Sequence, residues 1–365
     1  MTRTLRALLG ALGIAIVALI AWLTPHVSGF TRAVLGLLSA VTIWYVWRWP
    51  QLELRLAAAE DSKTAGSRAG PASRTDPPTG GAVSTEPGGR DRLSGPGPFD
   101  LAVGFITNFF DTLGIGNFAP TTAALKFTRR IPDEDIPGTL NVGHALPVLT
   151  EALILIAVIT VDPRLLIAMI IASVLGAWLG AGVVARMPRR AIQIAMGTAL
   201  AIAAALFITT RPAGGSATAL AGTPFLVAVF GNFVLGALMT LGIGLYAPCL
   251  IMLSLLGLNS RAVFPIMMGS CAFLMPIGGI RFVRTRRYNA SVAMGLAIGG
   301  PPAVLIAGYL VKSLPLKWLN WLVACVVLYA AVMMLTSALR RAPQSDRGMD
   351  REAAEVAARS PRPSE

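Results

Sequence analysis

The sequence has little charge and few of the side chains that carry out covalent chemistry. Only 13% of its 365 residues are charged and 55% are hydrophobic, whereas soluble domains have about 25% charged residues. It contains two histidines, His26 and His144, and three cysteines, Cys249, Cys271 and Cys325, all three within apolar runs. This inventory provides neither a disulfide framework nor a zinc cluster, and the H-E-x-x-H and G-x-S-x-G patterns are missing. We therefore expect no enzyme activity, no metal and no cofactor.

Long apolar runs are what the sequence has in abundance. The mean hydropathy is +0.67, and runs of about 18 residues or more recur, long enough to cross a hydrocarbon core of about 30 Å. These features predict an all-α polytopic protein of the cell membrane, with the lipid bilayer as its surroundings. The net charge of +13 belongs to Arg and Lys residues that flank the apolar runs, so we expect no nucleic-acid partner.

The two ends of the chain differ from its middle. Leu5–Leu23 and Phe30–Trp47 are apolar segments that predict a transmembrane hairpin over residues 1–50. A cleaved signal peptide is the alternative, but no small-residue cleavage site is evident and a second span follows at once. Residues 51–98 and 340–365 are rich in small, polar and charged residues, which predicts a disordered linker and a disordered tail.

One motif occurs twice. Leu113–Pro120 reads LGIGNFAP, and about 128 residues later Leu241–Pro248 reads LGIGLYAP. Two glycines and a proline interrupt a helix, and in lipid such irregular backbone is tolerated only inside protein or around a cavity. The sequence therefore predicts two repeats, 99–210 and 222–339, each with a broken helix. Chance resemblance between membrane helices rich in small residues is the alternative.

Each repeat is predicted to contain a broken element and three ordinary spans. From Pro224 to Gly257 the second element would reach about 50 Å as one helix, so two shorter halves fit the membrane better. The three spans that follow each break are Gly138–Ile159, Arg164–Ala185 and Arg190–Thr209, then Ala262–Ile280, Tyr288–Val311 and Lys317–Leu339.

Loop charges favour a re-entrant hairpin over a crossing helix at each break. With hairpins, the basic loops all fall on one side of the membrane, as the positive-inside rule requires: Lys126/Arg129/Arg130, Arg186/Arg189/Arg190, Arg281/Arg284/Arg286/Arg287 and Arg340/Arg341. With crossing helices they would be divided between the two faces. Three crossings per repeat then make the two halves inverted repeats.

The breaks are the predicted binding site for a small anion. A half-helix begins with unsatisfied N–H groups and a partial positive charge, which attract an anion without a buried Lys or Arg. Glycines permit close backbone approach and polar side chains add hydrogen bonds. The alternative is that the glycines only let helices pack closely. The candidate substrate-binding residues are Gly114, Gly116, Asn117, Thr121, Thr122, Asn141, Gly242, Gly244, Tyr246, Cys249 and Ser270.

Three ionisable residues lie inside spans of the first repeat: Asp111, His144 and Glu151. Such groups are costly in lipid and are candidates for function. His144 and Glu151 lie two helical turns apart on one face, and a histidine titrates near neutral pH. We therefore take all three as proton-coupling candidates. A structural role for each is the alternative.

The Gly-rich break in each half, the run ARMPRRAIQIAMG at Ala185–Gly197 and the two four-element halves resemble the TauE/SafE sulfite exporter family over about Phe99 to Leu339. Asn117 and Leu245 stand where that family often has a third glycine. The resemblance implies a secondary transporter of sulfite or an organosulfonate. A transporter of another small anion and a non-transporting assembly factor or sensor are the alternatives, and a homo-oligomer is left open.

Overall fold

A computed structural model describes residues 3–23, 28–68, 95–184, 189–210, 217–239, 244–313 and 315–339. Within these ranges the regular structure is helical, apart from one isolated bridge between Ala217 and Leu258. Five of the helices are long and apolar enough to cross a membrane. The all-α prediction is therefore confirmed for the described part of the chain.

The N-terminal hairpin consists of α1 (Arg3–Leu23) and α2 (Gly29–Arg68). Helix α2 continues through Pro50 to Arg68 and so occupies the first part of the segment predicted as a linker from residue 51. The continuation has tertiary partners, because Leu52 is buried and Glu53 bonds with Arg286. Residues 69–94 and the predicted tail lie outside the described residues.

The first repeat begins with the two halves of a broken helix, and the helical interruption falls where the motif predicts it. Its elements are α3 (Pro98–Thr112), α4 (Phe118–Phe127), a 3-10 turn (Asp133–Asp135), α5 (Ile136–Gly143), α6 (Ala145–Val158), α7 (Pro163–Val184) and α8 (Arg189–Thr210). One predicted span, Gly138–Ile159, is divided at His144 into α5 and α6. Pro147, three residues on, lacks an N–H and cannot bond back to the Gly143 carbonyl.

The second repeat has the same order of elements, with one long helix in place of α5 and α6. Its elements are α9 (Gly222–Met239), α10 (Tyr246–Leu255), α11 (Ser260–Thr285), α12 (Ala290–Ser313) and α13 (Leu316–Leu339). Its break is flanked by α9 and α10, as predicted, although residues 240–243 within it are outside the described ranges.

The first broken element is a hairpin in which the start of α3 is bound to the end of α4. Asp100 in the first turn of α3 forms an ion pair with Arg130, just beyond α4, at 3.0 Å. The same carboxylate accepts a hydrogen bond from the backbone N–H of Gly97 at 3.0 Å. The start of α3 and the end of α4 therefore lie side by side, and the break is the tip of the hairpin.

In the second broken element, the residues before α9 and after α10 are also bound to each other, here by backbone hydrogen bonds instead of side chains. Ala217, before α9, pairs with Leu258, after α10, and accepts a hydrogen bond from the N–H of Asn259 at 2.8 Å. The N–H of Asp162 donates to the neighbouring Thr218 carbonyl at 3.1 Å, so the start of α7 lies at this end too.

The two repeats are interleaved through close helix contacts. Helix α3 packs along α12, α9 packs along α7, and α8 packs along α13. Glycines make the first two approaches possible: a Cβ on Gly299 would meet the backbone of Leu101, and a Cβ on Gly236 would meet the backbone of Ser173. The packing role considered for glycines in the sequence is thus filled by glycines outside the breaks.

We expect Gly299→Val to lower thermal stability strongly, because its side chain would collide with backbone that cannot move aside. Overpacking of this kind costs about 1–3 kcal/mol. Gly36→Val is the control, since a Cβ on Gly36 in α2 meets no atom within 4 Å. Melting temperatures of the detergent-purified variants measure the difference. Equal melting temperatures would show that the α3–α12 contact does not hold the repeats together.

Candidate functional site

The end of α3 is shaped by Gly114. Its N–H donates to the Asp111 carbonyl at 2.7 Å, and the N–H of Ile115 donates to the Phe110 carbonyl at 3.1 Å. This pair of bonds is a Schellman cap, which requires a left-handed residue, and Gly114 has φ +96°. Gly114 therefore serves backbone geometry at the break.

The two breaks meet inside the protein. Gly116 also has a left-handed backbone, with φ +83°, and a Cβ placed on it would lie 3.9 Å from Cδ2 of Tyr246, the first residue of α10. A Cβ on Gly114 would lie 3.4 Å from Cδ2 of Leu250 in the same helix. The tip of the first hairpin thus touches the beginning of the half-helix that follows the second break.

The second break differs from the first in its glycines. Gly244 is not among the described residues with positive φ, and a Cβ on it would meet nothing within 4 Å. Gly242, the counterpart of Gly114, lies outside the described residues. The motif is repeated, but the left-handed geometry is present at the first break and not at Gly244.

A network of buried polar side chains surrounds the first break. The amide nitrogen of Asn117 donates to Asp111 Oδ2 at 2.6 Å and to Asn108 Oδ1 at 3.1 Å. The same Asn108 oxygen is 2.9 Å from Nδ1 of His144, whose Nε2 is 3.0 Å from the Thr121 hydroxyl. Since an amide oxygen only accepts, Nδ1 of His144 carries a hydrogen, and in the neutral ring Nε2 then accepts from Thr121. One continuous network therefore links α3, α4 and the α5–α6 junction.

The network includes an acidic pair with unused hydrogen-bonding capacity. Thr112 donates to Glu151 Oε1 at 2.8 Å, and the Asp111 carboxyl interacts electrostatically with Glu151 and with Tyr246. Among the described residues, six buried side-chain oxygens make no hydrogen bond, and four of them lie at this site: Asp111 Oδ1, Asn117 Oδ1, Glu151 Oε2 and the Tyr246 hydroxyl. Buried polar atoms of this kind are rare in native proteins. They are the atoms with which the site can take up protons or a ligand.

Two helix N-termini begin at this network. The first backbone bond of α4 is from Thr121 N–H to the Asn117 carbonyl at 3.1 Å, and that of α10 is from Cys249 N–H to the Leu245 carbonyl at 3.0 Å. Neither N-cap residue caps its helix with a side-chain bond. The preceding N–H groups therefore have no partner within their own helices, and both helices present their positive ends to the break.

The polar side chains of the network are buried. Asp111, Asn117, His144 and Glu151 have no exposed surface, and Gly300 of α12 packs so closely on Asn108 that a Cβ would come within 2.7 Å of its amide nitrogen. Gly116 in the break between α3 and α4 is partly exposed.

The other predicted site residues lie near the network or outside it. Thr122 is half-buried beside Thr121, and Cys249 is buried in the first turn of α10. Asn141 bonds to the Pro137 carbonyl of its own helix at 2.9 Å, and Ser270 accepts a bond from Asn232 at 3.0 Å. The structure gives Asn141 and Ser270 no hydrogen bond with the network.

Two members of the network, Asn108 and Thr112, are not among the residues predicted from the sequence. Both lie in α3 within one turn of Asp111, and Asn108 joins the other members because its oxygen accepts from both Asn117 and His144. The signal was available: polar residues three and four apart in an apolar helix share a face.

A separate groove between α7 and α9 is apolar throughout. It is lined by residues such as Ile171, Leu175, Leu226 and Phe230, which are exposed on the outer surface of the bundle. Such a surface suits lipid chains and offers nothing to hold an anion.

Comparison with known proteins identifies the family. A family model described as "Sulfite exporter TauE/SafE" matches residues 2–207 and 224–363, so the match also covers the N-terminal hairpin and linker, which the resemblance over Phe99–Leu339 left out. Neither the curated proteins nor the solved structures gave a match. A match over most of the chain, together with its long apolar helices, makes this a multi-pass membrane protein that belongs to the TauE/SafE sulfite exporter family.

Proposed function

We propose that the protein is a secondary transporter of a small anion, sulfite or an organosulfonate, which binds between the two helix breaks. The observation that carries this proposal is the proximity of Gly116 to Tyr246, whose Cδ2 lies 3.9 Å from the position of a Cβ on Gly116. It brings the positive ends of α4 and α10 to one buried polar network, and paired broken helices of this kind form the substrate sites of many transporters. No Lys or Arg is among the buried residues of the described chain, so the backbone dipoles supply the positive potential.

The substrate-binding groups in this proposal are those at the junction of the breaks. Gly116 and Gly244 leave room for an anion to approach the backbone, and Asn117, Thr121 and Tyr246 supply hydrogen bonds. Gly114 shapes the end of the preceding helix α3, and Gly242 remains a candidate from the repeated motif alone. Thr122 and Cys249 line the same half-helix starts, while Asn141 and Ser270 contribute to the surrounding helices.

We further propose that the repeats are inverted and that each break is the tip of a re-entrant hairpin. The first hairpin opens near the start of α12, because Ser291 Oγ donates to the Gly95 carbonyl at 3.0 Å. The second opens near the start of α7, through the bond between Asp162 and Thr218. Since α5 and α6 run from the first end to the second, the hairpins enter from opposite ends, which supports inversion. The basic loops then lie together at the first end, on the cytoplasmic side of the cell membrane.

The acidic pair suggests how transport is driven. An anion beside two buried carboxylates would be repelled strongly, because charge interactions are large in a dry interior. If Asp111 and Glu151 take up protons as the anion enters, that repulsion is removed and each carboxyl gains a hydrogen to donate. His144 then has two hydrogen-bonded neighbours, Asn108 and Thr121, through which it senses the occupancy of the site. We propose coupled movement of anion and proton through these groups.

Topology is tested by cysteine labelling. In a background without native cysteines, single cysteines at Arg129, Arg189 and Arg286 should be shielded from an impermeant thiol reagent in intact cells. Cysteines at Asp162 and Ala213 should react. Labelling of positions 129 and 189 from opposite sides of the membrane would mean that the first element crosses it.

Gly116→Ala is expected to weaken substrate binding about tenfold, because a Cβ at this left-handed position costs roughly 1–2 kcal/mol and the backbone that approaches the anion has to shift to relieve it. Gly257→Ala is the matched control: Gly257 also has positive φ, with φ +94°, and a Cβ on it would meet nothing within 4 Å, but it caps the far end of α10. Binding and melting temperature are measured on both purified variants. If the two lose equal stability and neither loses affinity, the first break is not the binding site.

Proton coupling is tested with reconstituted vesicles and a panel of sulfite, organosulfonates and carboxylates. An imposed pH gradient should drive uptake of the preferred anion, and Asp111→Asn should remove the effect of the gradient while anion exchange persists. Asp133→Asn is the control, because Asp133 is exposed and pairs with Lys126 at the surface. A pH-gradient response retained by Asp111→Asn would exclude Asp111 from coupling, and transport of a cation without any anion would exclude the proposed substrate class.

A further inference from the structure

A tyrosine from the N-terminal hairpin contacts helix α5, which ends immediately before His144. Tyr45 of α2 is completely buried, and its hydroxyl donates to the backbone carbonyl of Val142 at 2.8 Å. Val142 lies in the last turn of α5, where carbonyls lack some of their intrahelical donors, and is two residues before His144. Tyr45 therefore supplies a hydrogen bond to backbone at the α5–α6 junction, from outside both repeats.

Helix α5 is enclosed on its other sides by the second repeat. A Cβ on Gly279 of α11 would lie 3.3 Å from the Asn141 carbonyl oxygen and 3.4 Å from the Tyr45 hydroxyl. The side chain of Thr139 accepts a hydrogen bond from the N–H of Asn289, before α12, at 2.9 Å. Helix α5 has only eight residues, and these contacts, together with the close approach of Gly143 to α12, hold it against the second repeat.

Helix α2 is itself fixed to the second repeat one turn beyond Tyr45. Trp49 stacks on Tyr45 with ring centroids 5.9 Å apart, and its indole N–H donates to the Tyr288 hydroxyl at 3.0 Å. Tyr288 donates in turn to Glu53, which pairs with Arg286 at 2.8 Å. Burial, together with the Glu53 carboxylate, raises the pKa of Tyr288 well above its ordinary value.

We propose that Tyr45 is a positioning residue of the transport site, which acts through Val142 to hold α5 and orient His144 toward Asn108 and Thr121. The effect of Tyr45 on transport rests on the proposed function, but its effect on the position of α5 does not depend on that function. A phenylalanine would fill the same apolar space, so the hydroxyl serves the hydrogen bond and not the packing. This gives the N-terminal hairpin a role in the mechanism beyond anchoring the chain.

The first test is hydrogen exchange on the full-length protein without substrate. Tyr45→Phe should make the amides of α5 exchange about fivefold faster, which corresponds to the loss of about one net hydrogen bond. Thr42→Val is the matched control, because Thr42 is a buried hydroxyl of α2 that bonds to the Leu38 carbonyl of its own helix. Unchanged exchange in Tyr45→Phe, or an equal increase in Thr42→Val, would overturn the proposal.

The second test is a double-mutant cycle on sulfite affinity. Tyr45→Phe should weaken binding about fivefold in the wild-type background and have no further effect in a His144→Gln background, because it acts through His144. An equal factor in both backgrounds would overturn the proposal. If Tyr45→Phe does not fold, Gly279→Ala, which presses on Asn141 and Tyr45 from α11, replaces it with the same expectations. If the wild-type protein binds neither sulfite nor any other anion, the proposed function fails, while the exchange result still decides whether Tyr45 holds α5.

Discussion

Satisfying the ends of interrupted helices inside an apolar protein is the constraint on which this structure depends. In lipid, each unpaired backbone group costs several kcal/mol, so a break is possible only where caps and neighbouring groups replace the lost bonds. The outgoing half-helices show the same solution in both repeats: α4 ends in a left-handed cap at Arg129, and α10 ends in one at Gly257. In the described parts of the two broken elements, the N–H groups at the start of α4 and α10 have no partner within their own helices, and the polar network lies there.

The two repeats share a backbone plan but not a chemistry. At the repeat offset of about 128 residues, Asp111 corresponds to Met239 and Thr121 corresponds to Cys249. The first repeat thus contributes hydrogen-bonding and acidic groups to the junction. The second contributes Tyr246 and an otherwise apolar wall, in which the Cys271 thiol contacts the Met239 sulfur at 3.6 Å. A bound anion would therefore meet polar contacts on one side and soft, polarisable atoms on the other.

Much of the architecture could be predicted from the sequence, because hydropathy and repeated glycines are strong local signals. The helix interruption after Thr112 and the spans that follow both breaks are where the pattern indicates them. The division at His144 could not be predicted from Pro147. Its counterpart in the second repeat is Pro276, and α11 continues through that proline without a break. The different backbone at Gly116 and Gly244 also depends on the surroundings of each break and not on the motif. The sequence indicates Asp111, His144 and Glu151 as candidates, but it does not show which side chains connect them. Asn108 and Thr112 do so through hydrogen bonds to residues of other helices, and these depend on the tertiary structure.

The interleaving of the repeats has a consequence for how the protein is made. Helix α3 carries Asn108 and Asp111, yet its main packing partner, α12, begins only at residue 290. During synthesis the α3 side chains therefore lack this partner until nearly the whole chain has been made, and Gly300 can cover Asn108 only then. Packing of the first repeat is thus completed by the second, late in the synthesis of the chain.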